Sequence, residues 1–422
     1  MASSLSRRSF LALPTVLFAH TDGPKKRVAA LISEYRRSSH ADVICGRMLA
    51  GRYLNGQEHE SGLHVVSMYT DQVPEEDLSR DLAAEHGFKI QPSIREALTM
   101  TSNAAVGERT LAVDGVVLIC EHGAYPYNAA GQKLYPRFEF FKQVIDVFRE
   151  TGQTCPVFTD KHLSYDWHKA KWMYDQAKQL GFPLMAGSVL PHALEPEQKL
   201  PMGTPVERAV LVWAAEFFDS KDSYGFHALE RMQCQVERRA GGETGIAAVQ
   251  CFEHDAVWAF TDKTPWAARL LDATAGAVER SRVKNPVCFY LQYESGLEAA
   301  IYRLNRHRSQ RSFAYLKRGS NEPALIPELD RQAKFVAVPD ALRQKYRHNH
   351  FSAQVHHIEE MIHHGETPNP VERTLLTTGA LAALFESTYQ GAPQYGRTLQ
   401  HGTMLEEGRR ISTPHLRIAY QV

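Results

Sequence analysis

The first patterned feature of the chain is a continuous apolar run, Val28-Ala29-Ala30-Leu31-Ile32. A run this short that is apolar on both faces predicts a strand buried inside a parallel sheet. A second run, 63–69, ends at Thr70-Asp71, and between the two, residues 41–53 place Cys45, Met48 and Leu49 on one helical face. Residues 77–87 read as a helix stopped by Gly87, and 94–98 begin a short helix. The strand 115–120, the amphipathic helix 138–151 closed by Gly152, the strand 156–158, the helix 165–180 closed by Gly181 and the strand 182–187 follow. Strands alternating with helices of about 12–16 residues predict βαβ units and a parallel sheet. The pattern changes after Pro191. Residues 206–217, 249–252, 287–293, 297–304 and 312–316 read as strands of an open antiparallel or mixed sheet, 356–364 and 371–389 as helices, and 415–422 as a last strand. The pattern thus predicts an α/β chain with a doubly wound parallel sheet over 23–190, followed by an α/β domain with an open, mostly antiparallel sheet over 191–422.

Length and composition agree with this division. A chain of 422 residues has room for two or three domains, and 43 % hydrophobic with 23 % charged residues is enough to bury a large core. The formal net charge is zero, which argues against a nucleic-acid binder with its basic stripe. No apolar run approaches the ~20 residues of a membrane-crossing helix. None of the six cysteines forms a CxxC pair, so they read as buried structural residues rather than metal or redox ligands. The N-terminus reads Ser6-Arg7-Arg8-Ser9-Phe10-Leu11 before a short apolar stretch. A twin arginine in this position is the pattern of a Tat export signal, taken here as residues 1–22, and it predicts a periplasmic or exported protein. The alternative is an N-terminal tail with a chance Arg-Arg pair.

The candidate chemistry gathers where the predicted parallel strands end. Glu121 and His122 follow one strand, and Asp160, Lys161 and His162 follow the next. Ligands of open α/β sheets bind at this edge. Glu, His and Asp are also metal ligands, so a divalent metal on Glu121, His122, Asp160 and His227 is an alternative reading. The histidines between His348 and His364 are read as belonging to a packing or solvated helix, and the basic stretch 303–311 as a solvated strand connection.

Four segments carry a resemblance. Residues 81–98 look like "ala..yg...y.s.eelL", and Val113-Asp114-Gly115-Val116-Val117-Leu118-Ile119 looks like "vDaVvIatP". Thr159-Asp160-Lys161-His162-Leu163-Ser164 with Leu184-Met185-Ala186-Gly187 looks like "EKPla" and its following "l.vg" strand. Residues 358–389 look like "f..aI..G.pP.....eGl.al.l.eAay". In their order the chain resembles the Gfo/Idh/MocA family (glucose–fructose oxidoreductase and inositol dehydrogenase among its members) over nearly its full length. The resemblance implies an N-terminal Rossmann domain that binds NAD(P), a C-terminal open-sheet domain, and a sugar or polyol as substrate. It places Lys161 near the nicotinamide and the substrate hydroxyl. It also matches Gly225, His227 and Glu230 to the family's D-x-G-x-H-x-x-D arrangement, with Asp222 one residue early. Association of copies through the C-terminal sheet is a further expectation.

One segment departs from the family. A dinucleotide site needs glycines after the first strand so that backbone approaches the pyrophosphate. This chain has Ser33-Glu34-Tyr35-Arg36-Arg37-Ser38-Ser39-His40. Arg36 and Arg37 are the candidate phosphate ligands, Glu34 opposes them, and Asp71 is a candidate ribose ligand or a turn residue. Glu121, His122 and Asp160 would lie against the cofactor. The leading expectation is an exported oxidoreductase moving hydride between NAD(P) and a sugar or polyol hydroxyl, with Lys161 and His227 handling the proton and Asp222 beside them. The alternatives are a nucleotide-free, metal-assisted lyase or hydrolase acting on carbohydrate, and a non-catalytic carbohydrate-binding protein.

Overall fold

A computed structural model describes residues 24–100, 110–213, 221–305, 307, 312–326, 336–391 and 407–422. The segment 1–22, on which the export signal was read, lies outside the described residues, as does most of the basic stretch 303–311. The N-terminal half runs β1 (Lys26–Glu34), α1 (His40–Ala50), the hairpin β2 (Arg52–Leu54) and β3 (Gln57–His59), β4 (Leu63–Gln72), α2 (Ser79–His86), β5 (Lys89–Ile90), α3 (Ile94–Thr99), β6 (Gly115–Ile119), α4 (Arg137–Thr151), β7 (Val157–Asp160), α5 (Trp167–Leu180) and β8 (Leu184–Gly187). Six of these strands form one parallel sheet in the order β5-β4-β1-β6-β7-β8, a Rossmann-like arrangement. The helices stop where the sequence signals them to. Gly87, Gly152 and Gly181 each adopt a left-handed C-terminal conformation, and Asp166 caps α5 by accepting from the Lys169 amide at 2.9 Å.

The second half holds β9 (Val206–Trp213), α6 (Ser223–Val236), β10 (Ile246–Glu253), α7 (Asp255–Lys263), α8 (Pro265–Ala275), β11 (Lys284–Tyr293), β12 (Glu298–Asn305), β13 (Ser312–Lys317), β14 (Ala324–Ile326), α9 (Phe351–His364), α10 (Val371–Gly391) and β15 (Ile411–Ser412). Its sheet runs β14-β13-β9-β12-β11-β10-β15 and is antiparallel except for the parallel pair β9–β12. The open, mostly antiparallel sheet is therefore as the sequence predicts.

Two helices join the halves. α9 buries Phe351, Val355, Ile358, Met361 and Ile362 in one core with Val28, Ala30 and Ile32 of β1, so it is a packing helix of the parallel sheet. Its His356 and His357 are pushed down to about 3 and about 4, in both cases chiefly by burial. α10 places Val371 and Leu375 in the core that holds Phe141 and Val157, and Leu376, Ala380, Leu381 and Leu384 in the core of the second sheet. The terminal strand predicted over 415–422 does not form. Pro414 opens a short helical turn, Pro414–Leu416, and only Tyr420 pairs across, with Glu243. Proline lacks the amide a ladder needs. All six cysteines are buried and unbridged.

Candidate functional site

β7 delivers its chemistry through one strained residue. Lys161 follows Asp160 at φ 67, a left-handed conformation that costs a non-glycine residue about 1–2 kcal/mol. The Lys161 amide donates to the Gly187 carbonyl at 3.0 Å, which locks the turn. Its ammonium then lies 2.5 Å from His227 Nε2 and 3.3 Å from Glu121 Oε1. Glu121 follows β6, and its second oxygen accepts from Arg137 at 2.8 Å. The same guanidinium approaches His162 Nε2 at 3.2 Å. Glu121, Arg137, Lys161, His162 and Asp222 are all buried, none more than 5 % exposed. Burial alone would raise the Glu121 carboxyl, but Lys161, His40 and Arg137 hold it well below the usual range. The result is a buried carboxylate clamped between two cations.

The second domain contributes α6. Asp222, just before the helix, accepts from the Lys133 amide at 3.1 Å and lies 3.4 Å from His162 Nε2; burial pushes it up to about 6. His162 is driven well below its ordinary value, first by burial and then by Arg137, so it is neutral. His227, one turn into α6, stacks on Trp213 at 6.3 Å and meets the edge of Tyr224 at 5.9 Å. Its Nδ1 is 2.9 Å from Ser188 Oγ, and Ser188 hydrogen-bonds Glu230, one helical turn further along, through both hydroxyl and amide. Gly187 makes room for this: a Cβ there would stand 2.3 Å from Glu230 Oε1.

A second cluster lines the same sheet edge. His40, in the first turn of α1, bonds Asp160 at 2.6 Å and meets the His122 ring edge-on at 5.7 Å. His122 is lowered to about 4, first by burial. Arg36 lies 3.4 Å from His122 Nδ1 and 2.5 Å from Glu34 Oε1. Asp71 accepts from the hydroxyls of Tyr69 at 3.0 Å and Tyr125 at 2.7 Å. Arg37 lines a groove of about 410 Å³ together with Ser38 and Asp42, between α1, α2 and residues 344–348.

In a dinucleotide fold the N-terminus of the helix after the first strand, here α1, is the pyrophosphate cradle. Such a cradle offers free backbone amides at a helix N-terminus. Here the Ser38 amide donates to Asp42 Oδ2 at 2.7 Å, the Asp42 amide donates to Ser39 Oγ at 3.3 Å, and His40 turns to Asp160. A carboxylate therefore stands where phosphate oxygens would be received. The residues do not fit a dinucleotide docked in the ordinary position. The metal alternative finds no support. Among the described residues no group of three or more His, Cys, Asp or Glu side chains could hold an ion. Glu121 faces Arg137 and Lys161, His122 faces Arg36, Asp160 faces His40, and His227 lies between Lys161 and Ser188, so the four named ligands do not point at a common centre.

The sequence places Glu121, His122, Asp160, Lys161 and His162 at one sheet edge, and the family resemblance adds Asp222 and His227 to them. Both missed His40, Arg137 and Ser188. His40 read as the end of a loop, and Arg137 fell one residue before the helix read over 138–151. The available signal was that both follow segments running straight off the C-terminal ends of β1 and β6.

No family model matches the sequence, and no curated protein matches it. Solved structures do share its fold. GenD2 from gentamicin A biosynthesis, crystallised in complex with NAD, aligns with a TM-score of 0.54 at 14 % identity, covering 92 % of this chain and 98 % of that one. A myo-inositol dehydrogenase from Corynebacterium glutamicum aligns at 0.50 and 12 % identity, covering 92 % and 98 %. The apo scyllo-inositol dehydrogenase from Lactobacillus casei aligns at 0.50 and 11 % identity, covering 86 % and 96 %. The two-domain α/β fold of this chain is that of these Gfo/Idh/MocA-type oxidoreductases, shared across nearly the whole of each molecule.

Proposed function

We propose that the chain is a divergent, oxidoreductase-like protein of the Gfo/Idh/MocA type that acts on a hydroxyl-bearing carbon of a sugar or polyol. Lys161 and His227 move the hydroxyl proton, and Glu121 and Asp222 hold the charge around them. The observation that carries this reading is the 2.5 Å contact of Lys161 with His227 at the edge of the parallel sheet, each group supplied by a different half of the chain. Imidazole and amine side chains both serve as general acid or base when positioned at a reacting hydroxyl. In GenD2 the bound group is NAD. The α1 terminus of this chain does not fit that group, so only the proton half of the reaction is assigned here.

That misfit favours a second reading, nucleotide-free lyase or hydrolase chemistry on a carbohydrate through the same proton-handling pair. The ultraviolet spectrum of the purified full chain separates the two. A co-purifying nicotinamide supports the oxidoreductase reading. Its absence, together with consumption of a sugar or polyol without added NAD(P), supports the second. No conversion of sugars or polyols under either condition overturns both. The twin-arginine segment around Arg7 and Arg8 is proposed to export the folded chain.

A further inference from the structure

We propose that Ser188 and Glu230 form a buried proton relay behind His227, which lets Lys161 release its proton inward and accept another from the substrate. The inference rests on the acid–base reading of Lys161 and His227. It concerns two residues that never reach the substrate themselves.

The geometry is a single chain of contacts. Lys161 Nζ meets His227 Nε2 at 2.5 Å, His227 Nδ1 meets Ser188 Oγ at 2.9 Å, and Ser188 Oγ donates to Glu230 Oε2. The Ser188 amide also donates to Glu230, at 3.0 Å to one oxygen and 3.1 Å to the other, so the carboxyl cannot swing away. Every member is buried: Ser188 0 %, Glu230 1 %, Lys161 2 % and His227 9 % exposed. Other groups face the chain. Glu121 lies on Lys161, Trp213 and Tyr224 pack on the imidazole, and Arg373 and Lys161 act on Glu230 through space.

A hydroxyl has one proton to give. With Glu230 ionised, Ser188 gives it to the carboxylate, so His227 carries its proton on Nδ1 and Nε2 accepts from the Lys161 ammonium. Shifting each proton one place along the chain produces the other state. Lys161 gives a proton to Nε2, Nδ1 gives one to Ser188 Oγ, and Ser188 gives one to Glu230. The ends are then a neutral amine and a neutral carboxylic acid, with imidazole and hydroxyl unchanged in charge. Each N–H or O–H bond broken is matched by one formed. The neutral amine then takes the substrate's hydroxyl proton. Burial, the chief cause, already pushes Glu230 up to about 7, so both of its states are populated near neutrality. Gly187 is the enabling residue, since any side chain there would displace the carboxyl.

The tautomer of His227 reports the relay without any turnover. In nitrogen-15 NMR of the full chain, with the resonances assigned by loss in His227→Gln, Nδ1 and Nε2 should each be partly protonated and in exchange at one fixed pH near neutrality, because the shift moves protons within the relay and takes none from solvent. In Glu230→Gln and Ser188→Ala this exchange is lost. Ser188→Thr, which keeps the hydroxyl, restores it. A single fixed His227 tautomer in the unmodified protein overturns the relay whether or not the variants fold. So does an unchanged exchange in folded Glu230→Gln. A tautomer exchange that is present in a protein with no acid–base turnover instead overturns the catalytic reading and leaves the relay standing.

Discussion

Lys161 and His227 touch across the seam between the two sheets, the amine from the end of β7 and the imidazole from the second turn of α6, 2.5 Å apart. Neither half of the chain can assemble this pair alone.

Lys161→Ala and His227→Ala should each lower turnover of a sugar or polyol by about 10²–10⁴-fold, the range for losing a positioned acid or base. The double variant should lose less than the product, because the two act as a unit. From sequence, neither residue would be expected to matter for stability. The structure corrects this: Lys161 is 2 % exposed and paired with buried Glu121. Its removal leaves that carboxylate to Arg137 alone and should cost about 1–3 kcal/mol. Steady-state kinetics well below the unfolding midpoint, alongside urea denaturation, separates the two effects. Near-normal turnover in either single variant rules that residue out.

Asp42 blocks the amide that a phosphate would use. Asp42→Ala should therefore tighten binding of NAD(P) by about tenfold, or roughly 1.4 kcal/mol, relative to the unmodified chain. Fluorescence titration with the oxidised and reduced forms of both nucleotides measures it. Tight binding by the unmodified chain that is indifferent to Asp42→Ala and lost in Arg36→Ala would move the phosphates to the arginine.

The buried Glu230 carboxyl makes stability fall as pH rises. Its value goes from the ordinary 4.5 to about 7 in the folded state, so the folded chain holds the proton more tightly than the unfolded one. That contribution is fully present below pH about 4.5 and is lost as pH climbs to about 7. The stability advantage of the unmodified chain over Glu230→Gln should thus shrink by up to about 3 kcal/mol between pH 4.5 and 7.5. Denaturant midpoints at the two pH values test this, and a constant difference would remove the buried ionisation.

Replacing Arg7 and Arg8 together by lysine should leave the protein in the cytoplasm, because the Tat receptor reads the arginine pair. Cell fractionation with an antibody to the chain decides it, and undiminished export in the double variant ends the assignment.

The parallel sheet was legible because its strands are short, apolar on both faces and punctuated by glycines at 87, 152 and 181 that stop helices. The tail was not: 415–422 looks like a strand by composition, but Pro414 precedes it and its apolar Leu416 is needed in a core instead. The site was legible where it follows strand ends, as at Glu121 and Lys161. Ser188 was silent because a serine after a strand is ordinary; its role comes only from Glu230, 42 residues away. The missing glycines after β1 were a true signal, since the structure fills that turn with a capping aspartate and a histidine.

α10 has a consequence for how the molecule comes apart. One 21-residue helix supplies Leu375 to one core and Leu376 to the other. A hinge between the two sheets would have to tear this helix from one of its beds, exposing leucines whose burial is worth about 2 kcal/mol each. The lobes therefore melt together, and a calorimetric trace of the intact chain should contain a single transition whose enthalpy belongs to both.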